Sequence, residues 1–272
     1  MAYPYFERKG YSSFYQKYMI REPLTVHKLI LSYLEEKGNP FGLAVDLGCG
    51  TGESTRFLAP HFQKVVGIDI SEAQIREAES VGTFHNVSYV LAPAEKLPFQ
   101  DHSVDMVTAS AAAHWFNTEE FLREVDRVLK PGGSLAFYCP LPQFDLCYKD
   151  CSQRLTDTFV AAFDFLFAEY GGKIAELVKD EYKHIFDSVP FEDKTRVTKI
   201  LRKSTMSVVK LLGFVESVYL FQLFLSTDSA AAVEFLQNLK DRILNIMGTS
   251  SAGTELEFSN YYCCVLACKS PK

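Results

Sequence analysis

The sequence predicts an α/β fold: a mostly parallel sheet of seven strands with helices on both faces, an antiparallel final strand, and a helical cap inserted after strand 5. Short apolar runs alternate with amphipathic helical stretches between residues 43 and 140. These runs are almost continuously apolar, which is typical of parallel strands covered by helices on both faces. Beyond residue 142 the chain has longer helical stretches, rich in Phe and Tyr.

The first half of the chain supplies the alternating elements. A helix is predicted over residues 24–38, because apolar residues recur there at helical spacing and Gly38 can end the helix. Ser71 and Gln74 have the spacing of a capping box at the start of a later helix. The predicted strands are 43–47, 64–70, 86–92, 103–110 and 134–140, and the predicted helices between them are 53–62, 71–81 and 117–130.

The second half supplies the cap and the last two strands. Residues 149–189 and 205–247 have a helical pattern, whereas residues 192–204 and 254–270 are strand-like. We expect the last two strands to pair in antiparallel fashion and to close the sheet. The helices between them then cover the carboxyl ends of the parallel strands, which is the edge where ligands bind in such sheets.

Composition and charge exclude several classes of function. The 272 residues carry a net charge of −6, whereas proteins that bind duplex nucleic acid usually have a basic surface. The N-terminus lacks the apolar segment of a signal peptide, and no apolar run reaches the roughly 18 residues of a membrane span. The seven cysteines lack the paired spacing of a zinc site. We therefore expect a cytoplasmic protein with no metal and no nucleic-acid, membrane or obligate protein partner.

A glycine-rich turn follows the first predicted strand, in the stretch LAVDLGCGTG. Gly48, Gly50 and Gly52 occur at every second position before a helix. Glycine permits positive φ and lets a ligand approach the backbone closely. Asp46 precedes the turn, and Asp69 ends the second strand, where a carboxylate can accept both hydroxyls of a vicinal diol. A dinucleotide is one of two cofactors that compete for such a turn, although dinucleotide folds prefer G-x-G-x-x-G to the G-x-G-x-G found here.

The other cofactor is indicated by four motifs in series. VDLGCGTG, VVGIDIS, APAEKLPFQDHSVDMVTAS and LREVDRVLKPGG follow one another over residues 43–138. In their order and spacing they resemble class I S-adenosylmethionine-dependent methyltransferases. The stretch AAAHWFN at 111–117 is similar to small-molecule methyltransferases of the trans-aconitate type. The resemblance implies a Rossmann-like fold, S-adenosyl-L-methionine as cofactor, and methyl transfer to a small molecule by in-line displacement.

The resemblance also implies roles for residues at the matching positions. The resemblance implies that Asp46 and the glycine turn shape the pocket for the methionine part of the cofactor. It implies that Asp69 binds the ribose hydroxyls, and that Ile70, Ala94 and Glu95 lie near adenine. These cofactor-binding residues are Asp46, Gly48, Cys49, Gly50, Gly52, Asp69, Ile70, Ala94 and Glu95. Many family members have Asp directly before the Ala-Glu pair, whereas this chain has Pro93, so a backbone group would have to contact the adenine amino group.

Four aromatic side chains are candidates for the reacting centre. A sulfonium methyl group is already electrophilic, so a base is needed only when the acceptor atom carries a proton. His114 follows strand 4 and suits a base or a substrate-orienting group, although it could instead form a pocket wall. Trp115, the single tryptophan, could pack on substrate or sulfonium. Tyr15 and Tyr18 are three residues apart, so a helix would place them on one face, over the cofactor.

Other functions and the acceptor stay open. The ending of strand 4, SAAAHWF, lacks the NPPY-type sequence of enzymes that methylate exocyclic or side-chain amides and amines, which favours a small molecule over protein or RNA. A catalytically inactive regulatory protein that binds S-adenosylmethionine is a further alternative. The acceptor is predicted to be small and partly apolar, with a carboxylate, amine or thiol as the reacting group. Six phenylalanines either line its pocket or pack the cap: Phe159, Phe163, Phe165, Phe167, Phe221 and Phe224.

The chain is predicted to form a single domain over residues 1–272. Its parts are an N-terminal helical segment (1–40), a cofactor-binding core (41–140), a mostly helical cap with one strand near 192–204 (141–253), and the final strand (254–270).

Overall fold

The computed structural model describes residues 6–8, 10–38, 41–82 and 84–271. The predicted N-terminal segment is therefore described in part, since residues 1–5, 9, 39 and 40 lie outside the described residues. The strands are β1 (Leu43–Leu47), β2 (Lys64–Asp69), β3 (Val87–Leu91), β4 (Val104–Ser110), β5 (Leu129–Cys147), β6 (Asp193–Ser207) and β7 (Glu255–Cys268). The helices are α1 (Tyr11–Tyr18), α2 (Leu24–Glu36), α3 (Glu53–Leu58), α4 (Glu72–Ser80), α5 (Thr118–Val128), α6 (Ser152–Tyr170), α7 (Gly172–Lys179), α8 (Lys183–Ser188), α9 (Val208–Ser217), α10 (Tyr219–Thr227) and α11 (Ser229–Met247).

The seven strands form one sheet in the order β3-β2-β1-β4-β5-β7-β6. The pairs among β1 to β5 are parallel, and β7 runs antiparallel to both of its neighbours. This topology confirms the predicted fold class and the antiparallel pairing of the last two strands. Strands β2 and β3 are added on one side of β1, whereas β4 lies on its other side. Because the strand order switches at this point, the carboxyl ends of β1 and β4 border an open crevice.

Strand β5 is longer than predicted. It begins at Leu129, directly after α5, and continues to Cys147, with a register shift between Pro140 and Phe144. The extra residues are strand because β7 supplies partners as far as Glu257, opposite Cys147. Residues 141–147, which were predicted from the sequence to belong to the cap, are therefore strand, and the first helix of the cap begins at Ser152.

Helix α3 is shorter than predicted. It ends at Leu58 rather than continuing to residue 62. Pro60 explains the difference, because it has no N–H to donate to the Arg56 carbonyl and so cannot continue the helical ladder, although Ala59 before it keeps helical dihedral angles.

Three hydrophobic clusters hold the molecule together. Two lie on the opposite faces of the sheet. The third, called here the cap cluster, joins the far ends of β5 and β7 to α6, α9, α10 and α11, with Phe144, Phe159, Phe163, Phe214 and Phe258 in ring contact at its centre. Among the described residues, no single helix has the length and apolar character of a membrane span, and the one pair that reaches both together, α9 with α10, is bent by 71°.

Candidate functional site

A cavity of about 430 Å³ lies at the carboxyl ends of the central strands. This volume is within the range of ligand pockets. Its turn-side half is lined by residues 48–51, 69–71 and 92–95. Its cap-side half is lined by the end of β5 and by α6, α9 and α10. Helix α1 and the residues that follow it, up to Glu22, form a further wall.

The three glycines of the turn all have positive φ, between 53° and 79°, but for different reasons. A Cβ on Gly48 would lie 2.6 Å from Cβ of Ala112, and a Cβ on Gly52 would lie 2.3 Å from the Tyr89 hydroxyl oxygen. A Cβ on Gly50 would meet no heavy atom within 4 Å. Gly48 and Gly52 are therefore required by packing within the protein. Gly50 instead faces open space in the cavity, and Gly52 does not line it.

Asp46 lies fully buried beneath the turn. Its Oδ1 accepts a hydrogen bond from Thr108 Oγ1 at 2.8 Å, and its Oδ2 accepts one from Thr55 Oγ1 at 2.7 Å. Burial raises the pKa of Asp46 to about 7, because the loss of hydration outweighs the stabilisation that the two hydroxyls give its charged form. The carboxyl group thus ties β1 to β4 and α3 and fixes the start of the turn.

Asp69 connects the end of β2 to the glycine turn. Its Oδ2 accepts from the Gly50 amide at 2.8 Å, and its Oδ1 accepts from the Ser71 amide at 2.8 Å. Burial raises its pKa, and these backbone donors oppose that rise. A carboxylate has about four acceptor positions. The Ile70 amide is a third backbone donor that opposes the rise in the pKa of Asp69, so about one position remains for a ligand hydroxyl.

Helix α4 begins with the predicted N-cap but without the second bond of a capping box. Ser71 Oγ accepts from the Gln74 amide at 3.2 Å. The Ser71 amide donates to Asp69 instead of to the Gln74 side chain. Gln74 lines the cavity, and its buried Oε1 has no hydrogen-bond partner among the described residues. Sequence reasoning treated Gln74 as a cap and missed this orientation.

The residues predicted to surround adenine lie on the turn-side half. Ile70 is 44% exposed, and Ala94 is buried beside Pro93. Glu95 also lines the cavity, but its Oε1 accepts from the Asn117 amide at 2.9 Å, just before α5. Part of the hydrogen-bonding capacity of Glu95 is therefore used to hold the α5 N-terminus.

His114 and Trp115 lie on a single 3₁₀ turn after β4, and both line the cavity. His114 Nδ1 is 2.7 Å from the Tyr182 hydroxyl oxygen. Burial lowers the pKa of His114 to about 3, so its ring is neutral at pH 7. A neutral ring can orient a ligand by a hydrogen bond but is a weak proton acceptor. The Trp115 ring meets Tyr219 edge-on, with 4.8 Å between the ring centroids.

Of the two predicted tyrosines, only Tyr15 lies at the cavity. Burial raises the pKa of Tyr15, so its hydroxyl keeps its proton. Tyr18 packs on α9 instead, where a Cβ on Gly213 would lie 2.2 Å from its ring. The expectation that Tyr18 faces the cofactor is therefore wrong, because α1 uses that side chain, together with a Tyr11–Ser217 hydrogen bond of 2.8 Å, to dock on α9.

Glu22 is a cavity residue that sequence reasoning missed. Its Oε1 accepts from Ser110 Oγ, and its Oε2 accepts from the Tyr138 hydroxyl at 3.0 Å and lies 2.7 Å from His27 Nε2. The carboxylate is thus fixed between the end of β4 and the middle of β5. The sequence offered only an acid before Pro23, whereas Ser110 and Tyr138 are 88 and 116 residues away along the chain.

Comparisons with known proteins point to one family. The profile of the family described as "Methyltransferase domain" matches residues 45–137. A Dictyostelium discoideum protein named as a methyltransferase is 30% identical over 236 residues, which is 87% of this chain and 84% of that protein. Demethylmenaquinone methyltransferase of Staphylococcus saprophyticus is 31% identical over 189 residues, 64% of this chain and 74% of that protein.

One solved structure shares the fold over most of the chain. It is described as a type II methyltransferase from Anaeromyxobacter dehalogenans. It superposes with a TM-score of 0.70 at 22% identity, covering 90% of this chain and 97% of the other. The likeness extends through the cap as well as the glycine turn.

Proposed function

We propose that this chain, which belongs to the class I S-adenosylmethionine-dependent methyltransferases, transfers a methyl group to a small-molecule acceptor. Its cofactor is S-adenosyl-L-methionine. One observation carries the assignment of the cofactor site: the bare Gly50 backbone faces the cavity while its amide donates to Asp69. That pairing leaves room for a ligand against the turn and keeps the carboxylate beside it.

Two further features fit this cofactor. Gln74 Oε1 is a buried acceptor without a partner among the described residues, and it can take a hydrogen bond from a ligand N–H or O–H. The cavity is also rich in acids, which suits a cofactor that carries sulfonium and ammonium charges. We assign the ribose hydroxyls to Asp69, the methionine part to the turn at 48–51, and adenine to Ile70 and Ala94.

The chemistry needs alignment more than activation. When bound, S-adenosylmethionine supplies an electrophilic methyl group on a sulfonium. The aromatic wall of Trp115 and Tyr15 can exclude water and hold an acceptor in line. Neutral His114 can orient the acceptor by a hydrogen bond. Glu22, whose position is fixed by three polar neighbours, is the better placed group to receive a proton from the acceptor.

A small-molecule acceptor is supported by the shape of the site. The cap helices enclose the cavity opposite the glycine turn. Enclosure suits a compound that fits inside the cavity better than a macromolecule that must present one residue or base. The Staphylococcus relative is named for a quinone-type small molecule, which agrees with this proposal.

Calorimetric titration with S-adenosylmethionine, S-adenosylhomocysteine and NAD tests the cofactor assignment. We expect binding of the first two and none of NAD, and we expect Asp69→Ala to weaken binding by about tenfold or more, since a charge-assisted hydrogen bond contributes about 1.5–3 kcal/mol. Unchanged affinity in Asp69→Ala would refute the ribose assignment. Release of S-adenosylhomocysteine with a panel of metabolites, and none with protein or RNA, would support the small-molecule acceptor over both alternatives.

A further inference from the structure

The cap-side half of the cavity has an almost wholly apolar wall. It is formed by Leu141, Phe144, Phe163, Phe214, Val218 and Leu220. Of the six cap phenylalanines singled out from the sequence, Phe163 and Phe167 line the cavity. Phe159, Phe221 and Phe224 pack within the cap cluster, and Phe165 is 40% exposed. The wall therefore offers contact area but few polar partners.

The charged groups around the whole cavity are mostly acids. The acids among the described lining residues are Glu22, Asp46, Glu53, Asp69 and Glu95. Arg21 is the one described lining residue with a permanent positive charge, and its side chain is 83% exposed and lies 3.5 Å from Glu53. Lys179 stacks over Phe167 but is not a lining residue. His114 is neutral because burial lowers its pKa.

An anionic group on the body of the acceptor would therefore lose its hydration at the cap-side wall without gaining a positively charged side chain as partner. Moving an ionised carboxylate into such surroundings is strongly unfavourable unless a positive group or several donors receive it. An uncharged acceptor with an apolar body avoids that cost and gains from burial against the wall. Among the polar groups that line the cavity, we assign the reacting group of the acceptor to the Glu22 carboxylate, which Ser110 and Tyr138 hold in place.

We propose that the acceptor is a lipophilic compound without an anionic group, with a single O–H, N–H or S–H head that donates to Glu22. This inference rests on the proposed methyltransferase function and narrows its substrate class. The inferred substrate class excludes a tricarboxylate, which is the acceptor that the resemblance to trans-aconitate methyltransferases would imply. The apolar body lies against the cap-side wall, and the head faces the turn-side half.

Matched pairs of compounds test the inference by binding alone. The pairs are hexanethiol with 6-mercaptohexanoate, and 4-butylphenol with 4-(4-hydroxyphenyl)butanoate. Trp115 is the single tryptophan and lines the cavity, so its fluorescence reports binding without a label. With S-adenosylhomocysteine present, we expect the uncharged member of each pair to bind about tenfold tighter or more, because only the carboxylate is desolvated without a partner.

Two results would overturn the inference: equal or tighter binding of the carboxylates, or no binding of either uncharged compound. The same titrations are run without S-adenosylhomocysteine. Failure of the protein to bind S-adenosylhomocysteine would count against the proposed function, whereas a preference for carboxylates in a protein that binds it would count against this inference alone.

A charge variant tests the stated cause. Met19 lines the cavity, is half-buried and packs against the cap cluster. Met19→Lys places an ammonium on a side chain of similar length and should shift the preference within each pair about tenfold toward the carboxylate. Met19→Leu, the matched control, should keep the wild-type preference. If folded Met19→Lys kept the wild-type preference for the uncharged compounds, the lack of a positively charged side chain would not be the reason that carboxylates bind weakly.

Discussion

At the scale of the residue, the glycine turn shows that identical side chains can be required for different reasons. Gly48 and Gly52 leave room for Ala112 and Tyr89, whereas Gly50 leaves room for a ligand. Spacing alone predicted the turn but could not separate these roles, because the neighbours that fill the space come from other parts of the chain.

The packing role of Gly52 and the ligand-facing role of Gly50 can be separated by one pair of variants. Gly52→Ala puts a methyl group 2.3 Å from the Tyr89 oxygen, so we expect it to lower the free energy of unfolding clearly more than Gly50→Ala does. Both variants also carry the roughly 1–2 kcal/mol penalty of a left-handed non-glycine residue. Gly50→Ala should instead lose cofactor affinity. Urea denaturation and calorimetry of both proteins check this, and equal losses in both variants would contradict it.

The local part of the site was predictable and the distant part was not. Asp46 and Asp69 were identified because the motif places them beside the turn, and most of their hydrogen bonds run to the turn or to the helix that follows it, although Asp46 also accepts from Thr108 of β4. Glu22 was missed because β4 and β5 supply its partners. The position of His114 after β4 was predictable from the sequence, but only its burial, which lowers its pKa, shows that the ring stays neutral.

At the scale of the element, α1 is the part whose docking decides whether the cavity is closed. Tyr11 and Tyr18 attach it to α9, and Tyr15 then faces the cavity. The helix itself was expected from tyrosine spacing, but which tyrosine faces which surface depends on α9. The length of β5 could not be predicted from the local sequence either, because its last residues are strand only through their pairing with β7.

Gly213 offers a test of this docking. Gly213→Ala would place a methyl group 2.2 Å from the Tyr18 ring, so α1 must shift away from α9. We expect weaker binding of S-adenosylhomocysteine and faster proteolysis near residues 10–20, although alanine itself favours the helix. Adding Tyr18→Ala removes the clash and should restore part of the affinity. A double variant as weak as Gly213→Ala would argue against the contact as the cause.

At the scale of the whole molecule, the mostly parallel sheet followed from the alternation of strands and helices, while the order of its strands and the division of the core into three clusters did not. Apolar periodicity identifies which residues are buried, but it does not say which cluster they join. Phe144, near the end of β5, belongs to the cap cluster although its strand begins in the sheet core.

The buried acid under the turn makes global stability depend on pH. The pKa of folded Asp46 is raised to about 7 from its ordinary 3.8, so the folded chain holds this proton where the unfolded chain releases it. The stability that it contributes is present below about pH 4 and is lost as pH rises toward 7, by up to about 1.4 kcal/mol per pH unit.

Asp46→Asn should remove this contribution while keeping hydrogen bonds to both threonines. Denaturant midpoints of wild type and variant between pH 5 and 8 measure it. We expect the stability of wild type relative to the variant to fall as pH rises. Parallel curves would show that Asp46 is ionised in the folded protein throughout this range.

The separation of the cap cluster from the two sheet clusters has a consequence for how such a chain can diversify. The side chains that would select the acceptor lie mainly in a cluster that shares no member with those beneath the glycine turn. Substitutions in α6, in α10 and in the parts of α9 away from its contacts with Tyr11 and Tyr18 can therefore change the range of acceptors while the cofactor site stays intact. A combinatorial library of substitutions confined to those helices is therefore the direct way to obtain variants that methylate new acceptors.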